Sequence, residues 1–150
     1  MYEPSRRSAA LARPPLIREL ADRLGSQAVV VAIDAEGGRV RSHAGTVAAG
    51  RDAAEWAREA EELGAGEILL TSIDADGMRE GYDLELTSSV AGSVSLPVIA
   101  SGGAGNAAHV AAALGVAQAA LLASILHEEP QRLSSLRDEV RALGVPVRAC

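Results

Sequence analysis

The string Ala100-Ser101-Gly102-Gly103-Ala104-Gly105 follows the apolar run Leu96-Pro97-Val98-Ile99 and precedes a helical pattern that begins near Asn106. A strand that ends in Ser-Gly-Gly and opens into a helix makes a small anion site. Its glycines let the backbone come close to a ligand, and the first helical turn offers N–H groups and a partial positive charge. Phosphate is the expected occupant. Glycine pairs also end strands for purely steric reasons, so the string gains weight from its company. Three other apolar runs end in polar groups: Asp34 after the first, Thr71, Ser72, Asp74 and Asp76 after the second, and Ala123 with Ser124 after the last. Parallel sheets bind their ligands at the carboxyl ends of their strands, where these residues would meet.

Each group has a bland and a chemical reading. Asp34 closes a run of six apolar residues and is either a capping carboxylate or a general acid/base. Asp74, Asp76 and Gly77 share a turn, so one of the two acids is turn chemistry, while Asp76 could hydrogen-bond ligand hydroxyls. Thr71 and Ser101 occupy equivalent inward positions if side chains alternate along the strands, and their hydroxyls suit a sugar or phosphate. Ser124 can serve the same phosphate as Gly103. No His stands at ligand spacing to the acidic pair, so no metal is expected. His43, His109 and His127 are scattered, and none is placed to activate a serine.

The elements that must position these groups follow from periodicity. Residues 14–24 read as a helix with Leu16, Leu20 and Leu24 on one face, stopped by Gly25. Residues 28–33 read as a strand buried on both faces, and 36–50 as a loop with a short hairpin around Arg39–Arg41. A helix capped by Asp52 runs over 53–63, with Trp56 as a packing residue. Strands at 67–73, 97–101 and 119–124 alternate with helices near 84–92, 106–114 and 130–143. One helix followed by four strand–helix units predicts a parallel α/β sheet with right-handed crossovers. The strings AIDAEGG (32–38) and SIDADGM (72–78) echo each other 40 residues apart. Repeated units with polar strand ends are the pattern of a (β/α)₈ barrel, which needs eight strands. Four predict a (βα)₄ half-barrel over 14–150, preceded by an irregular lead-in at 1–13.

Bulk properties set the limits. A chain of 150 residues is one domain's worth. It is 48% hydrophobic but only 2% aromatic, with no Phe, so the core must be Ala, Val, Leu and Ile. A net charge of −6 argues against nucleic acid or an anionic membrane as partner. It leaves room for a small anionic ligand held by backbone dipoles. The single Cys150 rules out a disulfide framework within the chain and fits a reducing cytoplasm. No apolar stretch has transmembrane length.

The strings VVVAIDA (29–35), GAGEILLTSIDADG (64–77), EGYDLELT (80–87), PVIASGGAGN (97–106) and LLASI (121–125) closely resemble the cyclase-subunit family of imidazole-glycerol-phosphate synthase. The resemblance runs from about Ser8 to Arg148 and covers the C-terminal half of that family. It implies a (β/α)₈ barrel of histidine biosynthesis. Such an enzyme takes ammonia from a glutaminase partner, closes the imidazole ring of imidazole glycerol phosphate and releases an aminoimidazole carboxamide ribonucleotide. It implies no cofactor. Carried over by position, Asp34 is the general acid/base, and Thr71, Asp76 and Ser101 contact the phosphorylated ribonucleotide substrate. Gly102, Gly103, Ala123 and Ser124 bind one phosphate, and Glu67 is one member of a charged ammonia gate on the opposite barrel face.

The family's other catalytic aspartate and second phosphate site have no counterpart in these residues. Met78 and the Leu126-His127-Glu128-Glu129 segment also depart from its pattern. The expectation is therefore a cyclase-type half-barrel completed by an N-terminal half-barrel or by a second copy of itself. The alternatives are a self-associating phosphate-binding module without turnover and a sister isomerase on the same scaffold.

Overall fold

Apolar residues alternate in burial along every long parallel strand, and this alternation organises the molecule. The computed structural model describes residues 9–42, 47–128 and 132–148. They form helices α1 (Ala9–Ala12), α2 (Pro15–Leu24), α3 (Ala53–Glu62), α4 (Leu84–Ser93), α5 (Ala107–Leu114), α6 (Ser124–Glu128) and α7 (Arg132–Ala142). The strands are β1 (Val30–Glu36), β2 (Arg39–Ser42), β3 (Val47–Asp52), β4 (Glu67–Ser72), β5 (Val98–Ser101) and β6 (Ala119–Ala120). One sheet runs in the order β3-β2-β1-β4-β5-β6. Strands β1, β4, β5 and β6 are parallel, as the alternation of units predicts.

One sheet face carries Val31, Ile33, Ala35, Ile68, Leu70 and Val98, all buried, and packs with Trp56, Ala57, Ala60, Leu86 and Val90 of α3 and α4. Helix α3 earns its place through the stripe Ala53, Trp56, Ala57, Ala60 and through Asp52, whose Oδ1 accepts from the N–H of Ala54 at 2.9 Å and Glu55 at 3.2 Å. Asp83 caps α4 and Asn106 caps α5 in the same way. The opposite face, bearing Ala32, Asp34, Leu69, Thr71, Ile99 and Ser101, is only half-buried.

Several expectations need correction. Strand β1 runs to Glu36 rather than ending at residue 33, so Asp34 lies within the ladder. The described residues of the stretch 36–50, which leave out 43–46, are mostly strand rather than loop. Gly37 and Gly38, at φ 54° and 76°, make the two-residue turn that joins β1 to β2. That hairpin adds two antiparallel strands to an otherwise parallel sheet. The strand expected at 119–124 shrinks to Ala119–Ala120, and Ser124 instead opens α6. Residues 9–12 of the irregular lead-in form a helical turn, while residues 1–8 lie outside the described residues. In α2 it is Ile17 that is buried, whereas Leu20 and Leu24 are exposed.

Tyr82 joins the second cluster of the core, with Ala100, Ala104, Val110, Leu136 and Val140. Its hydroxyl donates to the Leu121 carbonyl at 2.8 Å, which ties the β4–α4 loop to the segment after β6. Burial pushes its pKa up to about 12. The neutral form is thus favoured in the folded state. Stability from this group is complete below pH 10 and is lost as pH rises from about 10 toward 12. Tyr82→Phe is expected to cost about 1–2 kcal/mol at neutral pH, because the Leu121 carbonyl loses its donor. It is also expected to flatten the alkaline limb of a urea-midpoint profile.

Candidate active site at the strand ends

Register brings the predicted groups into one row. Asp34 pairs with Thr71 across β1 and β4, and Thr71 pairs with Ser101 across β4 and β5. All three are half-buried on the face that α3 and α4 leave uncovered. Adjacent strands lie about 4.8 Å apart, so the row from Asp34 to Ser101 spans roughly 10 Å, the length of a small ligand. On the hairpin side Asp34 is paired in register with Arg41, and Arg41 forms an ion pair with Glu36. The Arg41 Nε is buried with no hydrogen-bond partner among the described residues. The row therefore holds a carboxylate, two hydroxyls and a neighbouring guanidinium.

The two turn acids sit in different surroundings. Asp74 accepts from the Gly37 N–H at 2.8 Å and so fastens the β1–β2 turn to the β4–α4 loop. Asp76 is exposed, and its own N–H donates to the Ser72 carbonyl at 3.0 Å. Ser72 turns to the helical side. Its Oγ donates to Asp83 Oδ2 at 3.2 Å and accepts from the Ala75 N–H at 3.4 Å. It thus positions the loop instead of facing a ligand.

Gly102 and Gly103 are buried, at φ 92° and 107°. A Cβ on Gly102 would stand 2.7 Å from the Ser72 carbonyl oxygen and 3.4 Å from Asp76 Cα. A Cβ on Gly103 would stand 2.0 Å from the Gly81 carbonyl oxygen. No side chain fits at either position, and the glycine loop lies directly against the loop that carries Asp76. Ser124 joins this group through its carbonyl, which accepts from Arg79 at 3.3 Å, and Ala123 beside it is exposed. Glu67 pairs in register with Val30 at the opposite end of the sheet, roughly 13 Å along β4 from Thr71.

Sequence reasoning missed Arg41, Arg79 and Asp83. The pairing of Arg41 with Asp34 depends on a hairpin register that the sequence does not display. Asp83 directly before an apolar helical run was the one legible signal. Among the described residues no group of three or more His, Cys, Asp and Glu is placed to hold a metal ion, and no helix is long and apolar enough to cross a membrane.

Comparison with known proteins identifies the family to which the chain belongs. The chain is 54% identical over 147 residues to the imidazole glycerol phosphate synthase subunit HisF of Acidobacterium capsulatum, covering 94% of this chain and 58% of that protein. It is 51% identical over 147 residues to the subunit of the same name from Streptomyces coelicolor, covering 94% and 59%. The chain thus spans just under three-fifths of the length of these curated relatives. The histidine biosynthesis protein family matches it over residues 5–131, and the chain belongs to that family.

Proposed function

We propose that the chain is the C-terminal half of a cyclase-type subunit of imidazole-glycerol-phosphate synthase, a (βα)₄ half-barrel that works when a second half closes it. The observation that carries this reading is the registered row Asp34–Thr71–Ser101, set beside a glycine loop that only backbone can line. Asp34 acts as general acid/base in ammonia-dependent ring closure of a phosphorylated ribonucleotide. Thr71, Asp76 and Ser101 hold the substrate. Gly102, Gly103, Ala123 and Ser124 take one phosphate. Glu67 stands at the far mouth, where ammonia from a glutaminase subunit would enter.

The half-barrel reading has its own physical support. Among the described residues the β1–β2 ladder covers only Asp34–Glu36, and β6 has β5 as its neighbour. Each outer edge of the parallel sheet is flanked by an apolar groove. One, of about 260 Å³, lies between β1 and α2 and is lined by Leu16, Leu20, Val30 and Ala32. The other, of about 410 Å³, lies between β6 and α7 and is lined by Val110, Leu114, Ala120, Leu133 and Leu136. Open edges beside apolar grooves invite strand pairing. An N-terminal half-barrel would fill both, as would a second copy.

Sedimentation tests the assembly. The account expects a one-to-one complex with an N-terminal half-barrel from a relative, or self-association of the chain alone. A monodisperse monomer at high concentration that ignores the added half would contradict it. A non-catalytic phosphate-binding module is the second reading. It is favoured by the glycine loop, which is complete within this chain, and it predicts phosphate binding and assembly without turnover.

A further inference from the structure

Residues 79–81 lie as a strap across the glycine loop. The Gly81 N–H donates to the Gly103 carbonyl at 2.9 Å, and the Arg79 carbonyl oxygen would stand 2.2 Å from a Cβ on Gly105. Arg79 sits at φ 58°, the one non-glycine residue at positive φ among the described residues. That conformation is disfavoured for any side chain with a Cβ and is retained where the surroundings require it. The Arg79 side chain is part-buried and reaches over to donate from Nη2 to the Ser124 carbonyl at 3.3 Å.

We propose that Arg79 is the cation that grips the phosphate of the ligand, bridging the glycine loop and Ser124. The inference rests on the phosphate-site reading above and adds to it the group that supplies charge. The three segments that meet here, 73–83, 101–106 and 121–124, contain no other Lys or Arg. The charged side chain that lies closest to the glycine loop at Gly102 is Asp76, whose Cα would stand 3.4 Å from a Cβ on Gly102, and its carboxylate repels a phosphate dianion. His109 is occupied by its own loop: Nδ1 accepts from the Gly105 N–H at 3.2 Å, and Nε2 lies 3.3 Å from Asn106 Nδ2. A guanidinium presents five donors in a planar fork that matches phosphate oxygens, and its bond to an anion is shorter and stronger than one to a neutral carbonyl. The long contact to Ser124 is thus one that a phosphate oxygen can replace.

The test is a titration of inorganic phosphate into the full chain, followed by calorimetry, for the wild type, Arg79→Lys and Arg79→Gly. Glycine relieves the backbone strain at this position, so its thermal midpoint should equal or exceed that of the wild type. Its phosphate affinity should fall about 10- to 100-fold, with lysine in between. The wild-type affinity should also fall more steeply with added chloride than that of the glycine variant. Unchanged affinity in Arg79→Gly overturns the inference and leaves the phosphate site standing. Loss of affinity together with a lowered midpoint in both variants assigns Arg79 to loop structure and overturns it too. A wild-type chain without saturable phosphate binding removes the phosphate site itself, and the inference with it.

Discussion

Asp34→Asn is expected to lower turnover by about 10²- to 10⁴-fold in the completed barrel, while phosphate affinity changes less than twofold. Asparagine has the shape of aspartate and keeps a hydrogen-bonding oxygen, so the row with Thr71 and Ser101 survives. What it loses is the ability to give and take a proton, and a positioned general acid/base contributes that range of rate. The phosphate site lies two strands away, at the end of β5, and does not share this carboxylate. Steady-state kinetics on the chain mixed with an N-terminal half-barrel, set against a phosphate titration, reads both quantities. Equal losses of turnover and phosphate affinity would mean that Asp34 organises the loop rather than the chemistry.

Among the described glycines, Gly103→Ala is expected to be the most damaging change to alanine. The added Cβ would sit 2.0 Å from the Gly81 carbonyl oxygen, well inside van der Waals contact, and that oxygen belongs to backbone. The site is buried, so the loop has nowhere to retreat without breaking the bond from the Gly81 N–H to the Gly103 carbonyl. The φ of 107° adds a conformational penalty. Strain at such a position costs about 1–3 kcal/mol, and overpacking adds a similar amount. A loss of about 3 kcal/mol or more in urea unfolding, with phosphate binding abolished, is the expected result. An alanine at Gly38 provides the control. It shares the positive φ, but a Cβ there meets no atom within 4 Å, so only the conformational cost should appear.

The parallel strands, the helix capped by Asp52 and the polar strand ends were legible because each rests on local signals: apolar runs, a capping carboxylate before a helix, glycines after strands. The row Asp34–Thr71–Ser101 was legible for a further reason. Alternation along strands fixes which face a side chain takes, and parallel register then aligns equivalent positions. The hairpin strands were only partly legible, since Arg39–Ser42 and Val47–Asp52 mix charged and small residues instead of forming an apolar run, and the Gly37-Gly38 turn shows its strength only with both φ values known. The shrinkage of β6 was hidden because Ala-Ala-Leu-Leu-Ala-Ser fits a strand or a helix equally well. Arg79 was invisible to sequence reasoning. Its role depends on a strained backbone and on a contact with Ser124, 45 residues away.

Ammonia-dependent cyclisation tests the central claim most directly. The formimino ribonucleotide substrate is supplied with high ammonium, and its consumption is followed by absorbance, first with this chain and then with an N-terminal half-barrel added. The account predicts turnover that appears, or rises by orders of magnitude, when the second half is present, and that Asp34→Asn removes. Failure of any added half to produce turnover, while phosphate still binds, would contradict the cyclase reading and leave a phosphate-binding half-barrel in its place.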